Sequence, residues 1–332
     1  MNIHRYLLLF VVIFQFSFVQ SQKINGVSFV ASYGAIDAQH VQPVLKVHAN
    51  YVALMPFAFM KELANPSLVF NTDRQWFGET EKGLVHYANE FEKASVKVMV
   101  KPQIWVSQGQ FTGLIKMTSE EDWTLFEANY EKYILSYAVI AQKIQADVLC
   151  IGTELGYFVA QRPKFWNGLI EKVKNAYKGK LTYAANWDEF KRVSFWGYLD
   201  FIGVDAYFPL SVEKTPSVAD FEKGWQPHKK EIKIIQQRYD KPILFTEYGY
   251  RSVDFNGLRP WESNQVQGAV NLLAQTNATQ AIYNQFWQED WFAGGFIWKW
   301  FHNHSDSGGS RNNRFTPQNK PAETLIRKLY GH

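Results

Sequence analysis

The sequence predicts a single-domain (β/α)8 TIM barrel of the α/β class, and three observations lead there. Short apolar runs with β-branched residues alternate with longer segments of helical period along the 332-residue chain, and eight such runs emerge. No Gly-rich dinucleotide turn accompanies them, which favours a closed barrel over an open doubly wound sheet. No linker rich in Pro, Gly or Ser divides the chain, and barrels of this kind take ~250 residues and absorb long loop insertions.

Taken in order, the chain opens with a leader. His4 and Arg5 precede an apolar run at 6–19 and the polar, small stretch Gln20-Ser21-Gln22, the pattern of a secretory signal peptide over residues 1–21 with cleavage after Ser21. The run is shorter than the ~20 residues that a membrane span needs. Secretion, extracellular or periplasmic, is therefore expected, with no stable membrane insertion, and the catalytic barrel is expected to occupy 22–332. The eight strand candidates are 24–31, 51–57, 97–106, 147–153, 180–185, 199–207, 242–246 and 294–300.

Helix signals lie between them. Ser119-Glu120-Glu121-Asp122 is a capping-box pattern that opens a segment with Trp123, Phe126, Tyr130, Tyr137, Ile140 and Ile144 as its apolar side chains. A second helix is predicted from Pro163 to near Gly179, a Pro start and a Gly stop. The polar stretch 303–313, with Gly308 and Gly309, reads as a long loop after the last strand. His302, His304 and Asp306 fall there, but a metal needs further ligands in fixed geometry, so no metal site and no cofactor are expected. The single cysteine, Cys150, lies in the apolar run Val148-Leu149-Cys150-Ile151. It cannot form an intrachain disulfide and reads as a buried, inert thiol.

Composition narrows the partners. The formal net charge is only +4, with Lys and Arg interleaved with Asp and Glu, so nucleic acid is not indicated. Aromatic residues make up 17% of the chain and include 12 Trp, more than one core requires. Aromatic faces stack on the apolar faces of sugar rings, so a carbohydrate groove would use the excess.

Reactive groups of such barrels sit where strands turn into the following loops. Two acidic residues occupy that position, each ending an apolar run: Glu154 after Val148-Leu149-Cys150-Ile151-Gly152-Thr153, and Glu247 after Ile243-Leu244-Phe245-Thr246. A lone carboxylate there is costly to bury, so a partner or a task is expected. Counting the runs places the two at the ends of strands four and seven, opposite walls of one mouth. Glycoside hydrolysis needs such a pair, one carboxyl to protonate the leaving oxygen and one to attack or to activate water.

The sequence resembles clan A glycoside hydrolases and, within them, glycoside hydrolase family 113. The resemblance is carried by Ile151-Gly152-Thr153-Glu154-Leu155, by the segments 181–187 and 200–209, by Phe245-Thr246-Glu247-Tyr248-Gly249-Tyr250 and by Phe296-Ile297-Trp298-Lys299-Trp300. It covers nearly all of the chain after the leader. It implies β-1,4-mannanase activity on a polysaccharide or oligosaccharide, with Glu154 as acid/base and Glu247 as nucleophile. Thr153 departs from the wider clan, where Asn commonly precedes the acid/base, so the contact to the sugar 2-hydroxyl must come from elsewhere. A retaining double displacement is expected, with carboxyls about 5–5.5 Å apart.

Around the pair, Tyr207 can hydrogen-bond the nucleophile and Trp298 falls where the clan has a sugar platform. Asn186 and Trp187 end strand five, and Gln103 and Trp105 end strand three, as further sugar contacts. Two other readings stay open: a β-glucan hydrolase on the same barrel, since fold and catalytic pair do not fix the sugar, and a non-catalytic carbohydrate-binding barrel.

Overall fold

The computed structural model describes residues 22–262 and 268–331; the leader at 1–21 lies outside them. Among the described residues the strands are β1 (Ile24–Val30), β2 (Tyr51–Leu54), β3 (Phe57–Met60), β4 (Val69–Phe70), β5 (Lys97–Val100), β6 (Gln103–Val106), β7 (Val148–Thr153), β8 (Lys180–Asn186), β9 (Ile202–Asp205), β10 (Ile243–Tyr248) and β11 (Phe292–Phe301). The α-helices are α1 (Ala38–Lys46), α2 (Glu81–Glu92), α3 (Glu120–Lys143), α4 (Gly156–Gln161), α5 (Pro163–Ala176), α6 (Val218–Tyr239), α7 (Leu272–Phe286) and α8 (Pro321–Tyr330). Eight strands close a parallel barrel in chain order, β1-β2-β5-β7-β8-β9-β10-β11, with β11 returning to β1. The (β/α)8 barrel of the sequence reading is the fold observed.

Because both faces of a barrel strand are covered, its residues are apolar nearly throughout and the period of two sorts them by direction. Ala53, Met99, Val148, Cys150, Ala184, Leu244 and Phe296 pack together as one cluster inside the ring. Their neighbours Val52, Leu54, Val98, Val100, Leu149 and Ile151 join the larger cluster with the surrounding helices. Cys150 is free and wholly buried. Six of the tryptophans, 123, 166, 196, 225, 287 and 300, are buried. Ser119 caps α3, its hydroxyl accepting the Asp122 N–H at 3.1 Å, and Trp123, Phe126, Tyr130, Tyr137 and Ile140 form the buried face.

Several boundaries differ from the sequence reading, each for a local reason. The run 97–106 is two strands, and the run 51–57 ends on the first residue of a second one. Pro56 and Pro102 lack the N–H that a central strand must donate, so they interrupt the two runs. Beyond them β3 and β6 pair with each other, Phe57 opposite Gln103, and β4 joins β3 antiparallel, forming a small sheet of its own. The helix opened by Pro163 ends at Ala176, short of Gly179, and the run 199–207 keeps only four strand residues. Between β8 and β9 the crossover carries one 3-10 turn, Trp196–Tyr198, and no α-helix. A second short turn, His304–Asp306, occupies part of the stretch read as loop. His304 there lies 2.7 Å from Glu323, and among the described residues no group of His, Cys, Asp and Glu is placed to hold a metal. No described helix is long and apolar enough to cross a membrane.

Candidate active site

The C-terminal ends of the barrel strands open into a cleft of about 880 Å³. Every residue singled out in the sequence lines it: Glu154, Glu247, Gln103, Trp105, Asn186, Trp187, Tyr207 and Trp298. The fold brings them together because each follows, or stands near the C-terminal end of, a strand of the same parallel ring or of the small sheet beside it.

Glu247 is buried, with 6% of its surface exposed. The ladders from β10 to both neighbours slip in register between Phe245 and the residues that follow, the irregularity by which strands re-aim side chains beside active sites. Three donors converge on its carboxylate. Tyr207 donates to Oε2 at 2.8 Å and Gln103 donates to Oε1 at 3.0 Å. Lys101 donates to the same Oε1 through its ammonium.

Lys101 is wholly buried and lies two residues beyond the inward-facing Met99. Its Nζ also stands 3.5 Å from Oδ2 of the equally buried Asp205; that oxygen makes no hydrogen bond, whereas Oδ1 accepts from Thr246 at 2.7 Å. Burial alone would lower the lysine pKa, but Asp205 and Glu247 together raise it, so the ammonium stays charged. Burial pushes Asp205 up to about 7, and the charge of Glu247 adds to the rise against the pull of Lys101. One ammonium therefore serves two carboxyls.

Glu154 stands in different surroundings. It is half-buried and follows β7 with φ +52°, a left-handed conformation that a side chain makes unfavourable. Its N–H donates to the Ala184 carbonyl at 2.8 Å and its carbonyl accepts from Thr112 Oγ1 at 3.2 Å. Burial pushes the carboxyl pKa well above the ordinary range, and the negative charges of Asp205 and Glu247 push the same way, only partly opposed by Lys101. A carboxyl so placed retains its proton at a pH where an ordinary one is ionised.

The walls are aromatic. Trp298 is half-buried in β11, and its peptide bond to Lys299 is cis. Gly249, two residues after Glu247, lies so close that a Cβ there would stand 2.7 Å from the Trp298 carbonyl oxygen, so the loop after β10 packs directly on β11. Trp187 stacks on Trp261 with centroids 5.1 Å apart and planes at 22°. Trp105, half exposed, faces the cleft from β6, and Trp76 lines the same space.

Sequence reasoning did not single out Lys101, Asp205, Trp76 or Trp261. For the first two a signal existed. Each ends an apolar run, Val98-Met99-Val100 and Phe201-Ile202-Gly203-Val204, just as the two glutamates do. The two tryptophans lie outside the strand runs and give no periodic signal.

Comparison with known proteins bears on the family and the fold. The profile of Glycoside Hydrolase Family 113 matches residues 32–320. Among curated proteins none matches. Of solved structures, a family 113 β-mannanase from Alicyclobacillus acidocaldarius superposes with a TM-score of 0.81 at 22% identity, covering 93% of this chain and 97% of that one. A β-glucuronidase from Faecalibacterium prausnitzii gives 0.60 at 12% identity over 93% of this chain and 49% of that one. Fungal β-1,4-galactanases give 0.55 at 15% identity over 86% and 89%. These likenesses share the barrel.

Proposed function

The chain belongs to glycoside hydrolase family 113 and is a glycoside hydrolase, and from that premise we propose that it cleaves β-1,4-linked mannan-type polysaccharide by a retaining double displacement. The observation that carries the mechanism is the contrast between the two carboxyls of one cleft. Glu247 is held by three donors, one of them an ammonium, whereas burial and neighbouring negative charge keep the proton on Glu154.

In the first step an oxygen of Glu247 attacks the anomeric carbon as the bond to the leaving sugar oxygen breaks, and Glu154 gives that oxygen its proton. Tyr207 and Gln103 fix the attacking carboxylate, so little reorganisation is needed at the moment of reaction. Forming the glycosyl ester removes the charge of Glu247. The repulsion that kept Glu154 protonated then falls, and Glu154, now ionised, takes a proton from water as the water oxygen displaces Glu247. Trp298 forms the platform under the sugar at the cleavage point. Trp105, Trp187, Asn186 and the indole of Trp261 hold neighbouring sugars.

The mannan reading draws on the family and on the β-mannanase whose barrel this one matches. A reducing-sugar assay of purified protein over mannan, glucomannan, xylan and carboxymethylcellulose tests it. Turnover should be highest on mannan and glucomannan. Preference for carboxymethylcellulose would make it a β-glucan hydrolase, and mannan binding with no turnover on any polymer would leave a binding barrel. The leader makes the enzyme a secreted one, with mature protein beginning at Gln22; an intact Met1 on exported protein would contradict that.

A further inference from the structure

Close to Glu154 lies a buried carboxylate that the reaction, as written, does not use. Glu189 sits in the loop after β8 and is 3% exposed. Its Oε1 accepts a hydrogen bond from the Tyr183 hydroxyl at 2.6 Å and its Oε2 accepts the backbone N–H of Asn186 at 3.2 Å. The Tyr183 oxygen in turn accepts the N–H of Leu155 at 2.7 Å. A continuous chain thus runs from the peptide directly after Glu154, through a phenol, to a carboxylate anchored on the end of β8.

That peptide needs holding. A non-glycine residue at φ +52° persists only where its surroundings over-determine it. The bonds to Ala184 and Thr112 fix Glu154 itself, and Tyr183 fixes the residue after it. Gly156 completes the fit, since a Cβ there would come within 3.3 Å of the Glu189 carboxyl carbon. The groups facing Glu189 are Asp188 and Arg192 on its own loop, Tyr183 on β8 and, across the turn, Glu154. Burial pushes the Glu189 pKa up to about 7, with Tyr183, Asn186 and Arg192 pulling it back. Once ionised it adds to the negative potential at Glu154.

We propose that Glu189 is a positioning residue for the acid/base: through Tyr183 it fixes the left-handed turn that aims Glu154 into the cleft. The inference rests on reading Glu154 as the acid.

Glu189→Gln in the full chain tests it, with kcat/KM measured on aryl β-mannobiosides carrying a poor and an activated leaving group. An activated phenol needs no proton to depart. A residue acting through Glu154 should therefore lower kcat/KM on the poor leaving group by roughly 10- to 100-fold and on the activated one by less than about threefold. The alkaline limb of the pH profile should also move to lower pH, because a negative charge beside Glu154 has gone. Equal losses on both substrates, or no loss on either, would overturn the proposal. Glu154→Ala measured in parallel separates the two readings. If it shows the leaving-group split and Glu189→Gln does not, this inference alone fails; if it shows none, the assignment of the acid fails with it. Should Glu189→Gln not fold, Tyr183→Phe, which removes one hydroxyl, takes the same comparison with the same two outcomes.

Discussion

The ends of β7 and β10 each present a glutamate to the same cleft, yet the chain has built opposite surroundings for them. At β10 a register slip delivers Glu247 into a ring of donors: Lys101, Gln103 and Tyr207. At β7 no such ring forms among the described residues. Glu154 rides on a left-handed turn, and its neighbours include the carboxyls of Asp205, Glu247 and Glu189. Identical side chains are set apart because one meets three hydrogen-bond donors, whereas burial and like charge push the pKa of the other up. That difference is a property of the walls rather than of the residue type.

The comparison breaks most severely when Glu247 is removed. Glu247→Ala should lower kcat by more than roughly 10⁴-fold, since the covalent step has no substitute. Azide or formate should restore part of the activity and give a product of inverted configuration. Rescue with a retained product would point to another nucleophile.

Lys101→Met attacks the donor ring from below. It leaves Asp205 and Glu247 buried with no cation between them, and breaking a buried pair costs about 3–5 kcal/mol. Denaturant unfolding at neutral pH should show a loss of that order, smaller at mildly acidic pH, where Asp205, whose pKa burial pushes up to about 7, takes up a proton and the repulsion falls. A neutral-pH stability within about 1 kcal/mol of wild type would mean that the ammonium is not what holds the two carboxyls.

Tyr207→Phe is a milder change, removing one donor to a charged group, a bond worth about 1.5–3 kcal/mol. If that bond strengthens the attacking geometry, kcat should fall by roughly 10- to 100-fold while KM moves little. A change confined to KM would make Tyr207 a sugar contact instead.

The gentlest probe leaves the protein intact. The acid must be protonated, so kcat/KM on polymer should decline as pH rises through the raised pKa of Glu154, a limb well above the ordinary carboxylate range. With an activated aryl leaving group that limb should flatten. An alkaline limb unchanged by the leaving group would detach it from Glu154.

Which parts of this were legible in sequence follows from how each part is encoded. The barrel was legible because its strands are apolar on both faces, and each glutamate stood out as an ionisable group ending such a run. Lys101 and Asp205 carry the same signal, yet Lys101 fell inside a run read as one strand through Pro102. The prolines at 56 and 102 mark where the small sheet begins, a local cue outweighed by the apolar run around it. Glu189 was beyond reach. Its meaning depends on Tyr183 and Leu155, and no pattern in the chain announces that a phenol will bridge them. The fifth crossover carries no α-helix, and its buried Phe190, Val193, Phe195 and Trp196 cover that face of the barrel without one.

The proposed reaction turns on one event, the attack of Glu247 on the anomeric carbon. Proton NMR of the first-formed product from a β-linked manno-oligosaccharide, recorded before mutarotation, reads it directly. Two displacements at one carbon should give the β-anomer first, with the α-anomer appearing only as the sugar equilibrates. An α-anomer as the first product would mean that water, not Glu247, attacks that carbon.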